Sequence, residues 1–171
     1  MKRVLITLAI LIALMPFAYK GARYVYNYYL HYKANKLEGA KVEKIEVFDT
    51  DGKKYNFNKL KDKKVVLVFW ASWCKYCIDE IPYIKEFYKN KKDDTLLITA
   101  SIDKDKNSAI DAVKKYSMNY PVVIKSTQNS HFFSYFTTTQ VPSIWVIDKS
   151  GKIVAHNLLH ISDAQKILEK L

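Results

Sequence analysis

The sequence predicts an α/β fold: a central β-sheet flanked by helices. Three observations carry that prediction. VVLVFWA (65–71) and TLLITASI (95–102) are continuous apolar runs rich in β-branched and aromatic residues, as expected of strands buried on both faces. Each run is followed by a segment whose apolar residues recur at helical spacing. The chain then closes with a paired-strand signal and an amphipathic helix, so strands and helices alternate along it.

The first 36 residues differ in kind. After Met1, Lys2 and Arg3 come sixteen uncharged residues, VLITLAILIALMPFAY (4–19). As a helix rising ~1.5 Å per residue they extend about 24 Å, against a hydrocarbon core of ~30 Å. The following ARYVYNYYL lengthens the run. Tyr19, Tyr24, Tyr26, Tyr28, Tyr29 and Tyr32 suit an interfacial aromatic belt. The segment reads as a membrane anchor, and residues 20–40 as a stalk, with the folded domain over 37–171. A secretory signal has similar basic and apolar regions but needs small residues ahead of its cleavage point. In FAYKGA, Lys20 falls three residues before any cut after Ala22. An uncleaved anchor is therefore the expectation, and a cleaved soluble protein the alternative. Basic residues flank the apolar run on both sides (Lys2 and Arg3; Lys20, Arg23, Lys33 and Lys36), so charge alone does not orient it.

The net charge of +11 is unevenly spread. Residues 1–36 hold six Lys/Arg and no Asp/Glu. The remaining 22 basic and 17 acidic residues leave the folded part at +5. These charges are scattered, without a repeated basic–aromatic pattern, so nucleic acid is not an expected partner. Attraction of the 20–36 stretch to anionic headgroups is the expected consequence of the basic excess.

Along the folded part, KIEVFDTDGKKYNF (44–57) reads as a hairpin turning at Asp51-Gly52. The strand over 65–71 comes next. The helix after it places Ser72 at its N-cap and Cys77, Ile81, Ile84 and Tyr88 on one side. The strand over 95–102 precedes a helix with Ala109, Val113 and Tyr116 on one face. YPVVIK (120–125) is a short strand and NSHFFSYF (129–136) a short helix. VPSIWVIDKSGKIVAHN (141–157) is two strands joined through Asp148, Lys149, Ser150 and Gly151. In ISDAQKILEKL, Ser162 and Gln165 spell a capping box, and Ala164, Ile167, Leu168 and Leu171 form the buried stripe.

Cys74 and Cys77, the only two cysteines, lie at the carboxyl end of the first buried strand, where α/β folds place their chemistry. Cys74 falls at the start of the predicted helix. Unpaired N–H groups and the helix dipole favour an anion there, and Lys75 adds a neighbouring cation, so Cys74 is expected to be the more exposed and acidic thiol. Cys77, on the inward face, is suited to resolving a mixed disulfide. Other readings remain: structural zinc, transient copper binding, or an inert staple. A lone CxxC supplies half a zinc site; His156 and His160 are four apart but follow the last strand. A disulfide closing so short a loop adds little stability. Redox chemistry is the favoured reading, with no metal and no cofactor beyond the cysteine pair.

FWASWCKYC resembles the active site of the thioredoxin superfamily, in which an FWA strand end precedes WCxxC. The likeness runs from about Lys44 to Leu171. It is closest to the membrane-anchored TlpA/ResA/CcmG-type thiol:disulfide oxidoreductases associated with cytochrome c maturation. CIDEIPYIKEFYK, YSMNYPVVI and QVPSIWVIDKSGKIV add to it. The resemblance implies a thioredoxin-like fold: a mixed central sheet flanked by helices, with an N-terminal hairpin extension. It also implies Cys74 as attacking and Cys77 as resolving thiol, joined as a redox-active disulfide when oxidised. Val141-Pro142 matches the family's cis-proline position, leaving backbone free to pair with a substrate strand. Glu80 falls where ResA-like proteins carry a glutamate near the thiols, a proton acceptor or a group that raises a thiol pKa. Trp73 is expected to flank the exposed sulfur, Trp70 to lie in the core, and Pro82 to kink its helix.

Val68 stands where thioredoxin has a buried aspartate, Lys75-Tyr76 replaces a proline-containing pair, and no CcmG-type insert is present. The implied function is an outward-facing reductase on a bacterial cytoplasmic membrane. Its substrates would be protein disulfides such as the oxidised haem-binding cysteines of apocytochrome c, and a membrane thiol donor of the CcdA/DsbD type would reset it. A disulfide oxidase, a reductase for copper-site assembly, and a non-catalytic copper carrier using Cys74 and Cys77 are the alternatives.

Overall fold

The computed structural model describes residues 2–42, 44–60 and 62–171, with residues 2–11 described by their helical backbone alone. The chain enters through a long helix, α1 (Lys2–Leu37). Among the described residues no helix is long and apolar enough to cross a membrane. The expected anchor over 4–19 begins in the stretch whose side chains lie outside the described residues. The carboxyl end of α1 packs on the domain: Ala34 is buried, and Lys33 Nζ donates to the Ser134 carbonyl at 2.9 Å. After α1 the backbone runs along the sheet edge, where Gly39 N–H donates to Ile153 O and Ile153 N–H to Ala40 O.

The hairpin forms as expected, with β1 (Glu46–Phe48) antiparallel to β2 (Lys54–Asn56). Its turn needs a left-handed residue, supplied by Gly52 at φ 79°, and Asp49 Oδ1 accepts from Asp51 N–H and Lys53 N–H. The hairpin is a sheet of its own. The central sheet comprises β3 (Lys64–Trp70), β4 (Thr95–Ser101), β5 (Val122–Val123), β6 (Ser143–Ile147) and β7 (Ile153–Leu158), in the order β5-β4-β3-β6-β7. β3 pairs parallel with β4 and antiparallel with β6, so the sheet is mixed. The strand expected over 120–125 pairs only at Val122 and Val123.

Every residue of β3 is buried, because helices and loops cover both faces. Its alternation sorts two cores. Val66, Val68 and Trp70 pack with α2 (Lys75–Asn90), α5 (Ile161–Leu168) and Ala112 of α3 (Lys106–Lys115). Val65, Leu67 and Phe69 pack with the hairpin, with Ala34, and with Phe132 and Phe136 at α4 (Ser130–Tyr135). Phe69, Phe132, Phe136 and Trp145 form an aromatic cluster with centroids 5.1–6.4 Å apart. Asn129, 3% exposed, ties the hairpin to it: its side chain pairs with both the N–H and the carbonyl of Phe48, and with Ile124 O.

Three local expectations are corrected. The cap of α2 is Cys74, because Ser72 is drawn away to Asp103. The capping box at Ser162 does not form. His160 occupies the N-cap of α5 but its side chain makes no capping bond, and the Ile161 N–H is satisfied by Glu80 from α2. Leu171 is exposed, whereas Ile161 joins the buried stripe. Helix α2 continues through Pro82.

Candidate functional site

The site lies where β3 ends and α2 begins. The chain turns after Trp70, with Cys74 N–H donating to Ala71 O, and Cys74 then takes an extended conformation (φ −88°, ψ 102°) as N-cap. Its Sγ accepts the Cys77 N–H at 3.2 Å, a role usually filled by a serine or aspartate oxygen. Cys77 stands one turn inside α2. The two sulfurs are joined as a disulfide, with Cα atoms 5.2 Å apart. A thiolate on Cys74 would face the same N–H and the dipole of a sixteen-residue helix whose first turn holds no acid.

The expectation of an exposed Cys74 is corrected. Cys74 is 6% exposed and Cys77 2%, so both are covered. The cover comes from the loop before β6: the Val141 carbonyl oxygen lies 3.5 Å from Cys74 Sγ, and the Val141-Pro142 peptide is cis. β6 runs antiparallel to β3, with Ser143 opposite Phe69, and that pairing brings Pro142 alongside the turn. Accessible surface at the site belongs to Trp73 and Tyr76, 69% and 74% exposed. Trp70 is core, its indole N–H without a hydrogen-bond partner among the described residues.

Glu80 is neither a free carboxylate nor a solvated one. It is 9% exposed, with Oε1 2.8 Å from His160 Nδ1 and Oε2 accepting the Ile161 N–H at 3.1 Å. The hydrogen bond to Glu80, and then its charge, raise the His160 pKa above the usual imidazole value. Both Glu80 oxygens therefore serve the start of α5, across a groove lined also by Asp79, Tyr83 and Glu86.

Sequence reasoning missed two groups here. Asp103, 4% exposed at the end of β4, holds the turn ahead of Cys74. His160 partners Glu80. Neither carries a local signal, since each acts on an element far away in sequence.

The redoxin family model matches residues 37–170. This chain belongs to the redoxin family. This redoxin is 33% identical over 117 residues to a thiol-disulfide oxidoreductase ResA of Bacillus cereus, covering 68% of this chain and 66% of that protein. It is 30% identical over 131 residues to the ResA of Bacillus subtilis, covering 76% and 72%. The chain thus spans about two thirds of the length of these curated relatives. Among solved structures, the exposed lipoprotein thioredoxin of Streptococcus pneumoniae superposes with a TM-score of 0.61 at 29% identity, covering 74% of this chain and 98% of that one. The redoxin fold here is thioredoxin-like, and its CxxC pair at disulfide distance places the chain among thiol-disulfide oxidoreductases of the ResA type.

Proposed function

We propose that this redoxin is a reductase of protein disulfides, working from the outer face of a bacterial cytoplasmic membrane. The observation that supports this best is Cys74 at the N-cap of α2, its sulfur already accepting the Cys77 N–H. That arrangement lowers the cost of a thiolate on Cys74 and leaves Cys77 deeper in the core.

In the proposed reaction the reduced Cys74 thiolate attacks one sulfur of a substrate disulfide. The S–S bond breaks, one substrate thiolate leaves, and a mixed disulfide forms. Cys77, deprotonated, attacks Cys74 Sγ, releasing the second substrate thiolate and closing the Cys74–Cys77 disulfide. Two electrons pass to the substrate, and a membrane thiol donor returns them. The pair needs no other cofactor. Trp73 offers apolar contact to the polypeptide, and the backbone at Val141-Pro142 offers a hydrogen-bonding edge above the sulfurs. Glu80, three residues after Cys77 on α2, holds α5 against that helix, and a lone pair left over from its bonds to His160 and Ile161 is the proposed proton acceptor for Cys77. The apolar run 4–19 anchors the chain, and the proposed substrate class, implied by the resemblance of the FWASWCKYC segment, is the oxidised haem-binding pair of apocytochrome c.

Trapping in cells tests the assignment. Cys77→Ala accumulates mixed disulfides through Cys74, sensitive to reductant, and mass spectrometry of the adducts names the substrate. Adducts on Cys74→Ala instead would reverse the two roles. Retention of the chain in the membrane pellet after alkaline carbonate washing tests the anchor; release into the supernatant would refute it.

A further inference from the structure

Asp103 is a buried carboxylate that the proposed reaction does not use. It stands just past the carboxyl end of β4, 4% exposed. Its Oδ2 accepts the Ser72 N–H at 2.9 Å and the Ser101 hydroxyl at 2.6 Å. Its Oδ1 accepts the Ser72 hydroxyl at 2.9 Å, and its own N–H donates to Ser101 Oγ at 3.0 Å. Ser101 is itself 1% exposed, and its strand is locked to β3 where Ile102 N–H donates to Trp70 O. Asp103 therefore grips Ser72 through both backbone and side chain, from a rigid neighbouring strand. Ser72 is two residues before Cys74, in the 71–74 connection by which the chain leaves β3 and enters α2.

We propose that Asp103 is a positioning residue for the redox centre: by clamping Ser72 it fixes Cys74 as the N-cap of α2 and so keeps its sulfur on the Cys77 N–H. The inference rests on Cys74 being the attacking thiol. The physical reason is leverage. Residues 71–74 are a short span between a buried strand and a helix, and within it Trp73 is exposed. Without the clamp the turn would lose its hydrogen bonds to the sheet. The Sγ-to-amide bond, which stabilises thiolate over thiol, would be shared among several turn conformations. A displacement well under an ångström suffices to weaken such a bond, because its strength falls steeply with geometry.

Asparagine separates placement from charge. In Asp103→Asn the amide oxygen takes the Oδ2 place, accepting from Ser72 N–H and Ser101, while the amide nitrogen donates to a rotated Ser72 hydroxyl. The clamp survives and the charge is gone. Alanine removes both. The experiment follows alkylation of the reduced full-length protein by iodoacetamide against pH, with the modified cysteine identified by mass spectrometry and thermal unfolding recorded in parallel. Asp103→Ala is expected to slow Cys74 alkylation near neutral pH by roughly tenfold, the scale of one charge-assisted hydrogen bond, and to move the profile to higher pH. Asp103→Asn is expected to stay within about threefold of the unsubstituted protein. Ser72→Ala, which keeps the backbone bond, is expected to fall between them, and it answers the question should Asp103→Ala not fold. A destabilised but folded Asp103→Ala with an unchanged profile would overturn the inference alone, as would an Asp103→Asn profile shifted as far as that of alanine. Preferential alkylation of Cys77 in the unsubstituted protein would overturn the assignment of the attacking thiol, and this inference with it.

Discussion

Glu80 joins two helices through one carboxylate, and replacing it has a calculable effect. In Glu80→Ala the Ile161 N–H loses its acceptor at a place where Ile161 is 2% exposed. A buried donor left without a partner costs about 1–3 kcal/mol. With a urea m-value of about 2 kcal/mol/M for a domain of this size, a loss near 2 kcal/mol lowers the unfolding midpoint by roughly 1 M. Glu80→Gln keeps an oxygen for Ile161, so its midpoint falls by roughly half as much or less. The two variants then divide by pH. Glu80 raises the His160 pKa above 6.5 through the hydrogen bond first and its charge second. A raised folded-state pKa adds stability that is fully present below the unfolded value and lost as pH climbs through the folded one. The gap between the unsubstituted protein and Glu80→Gln should therefore be full below pH 6.5 and close as His160 gives up its proton at higher pH. His160 is largely exposed, so the gap is small and shrinks further in salt. Urea titrations at pH 5.5, 7 and 9 check this. A gap that widened with pH, or a Glu80→Ala midpoint unchanged within ~0.2 M, would refute the reading of Glu80 as a cap for α5.

Asn129→Ala removes two hydrogen bonds that join the hairpin to the loop before α4, and a third to Ile124 O, and leaves the Phe48 N–H without a side-chain acceptor. It should cost roughly 2–4 kcal/mol in urea unfolding and speed amide exchange at Phe48. Phe132→Ala opens a cavity beneath Phe57, Phe69 and Phe136, where Phe132 is 0% exposed. A loss of about 3–5 kcal/mol is expected, seen as a fall in Tm of roughly 10 °C or more.

The buried strands were legible because their chemistry is local. A run such as 65–71, with no charge and composed of valine, leucine, alanine and aromatic residues, has few folded environments open to it beyond the middle of a sheet. The hairpin turn at Asp51-Gly52 and the cysteine spacing are equally local. The helix caps are not legible in sequence for the opposite reason. Ser72 and Ser162 carry good capping chemistry, but a hydroxyl caps only if nothing binds it more strongly. Asp103 takes Ser72, and Glu80 supplies what α5 needs. The burial of Cys74 has no local signal because its cover comes from Val141, 67 residues further along the chain.

The sequence alone determined the alternation of elements, the two thiols at the end of a buried strand, and the helix start that favours an anion at the first of them. These follow from patterns within a few residues, where hydrophobic period and backbone geometry leave little choice. Tertiary structure decided which carboxylate meets which amide: Asp103 on Ser72, Glu80 on Ile161 and His160, and the Val141 carbonyl over the sulfur. A hydrogen bond acts over about 3 Å, so its partners are settled only once the sheet order has brought distant segments together.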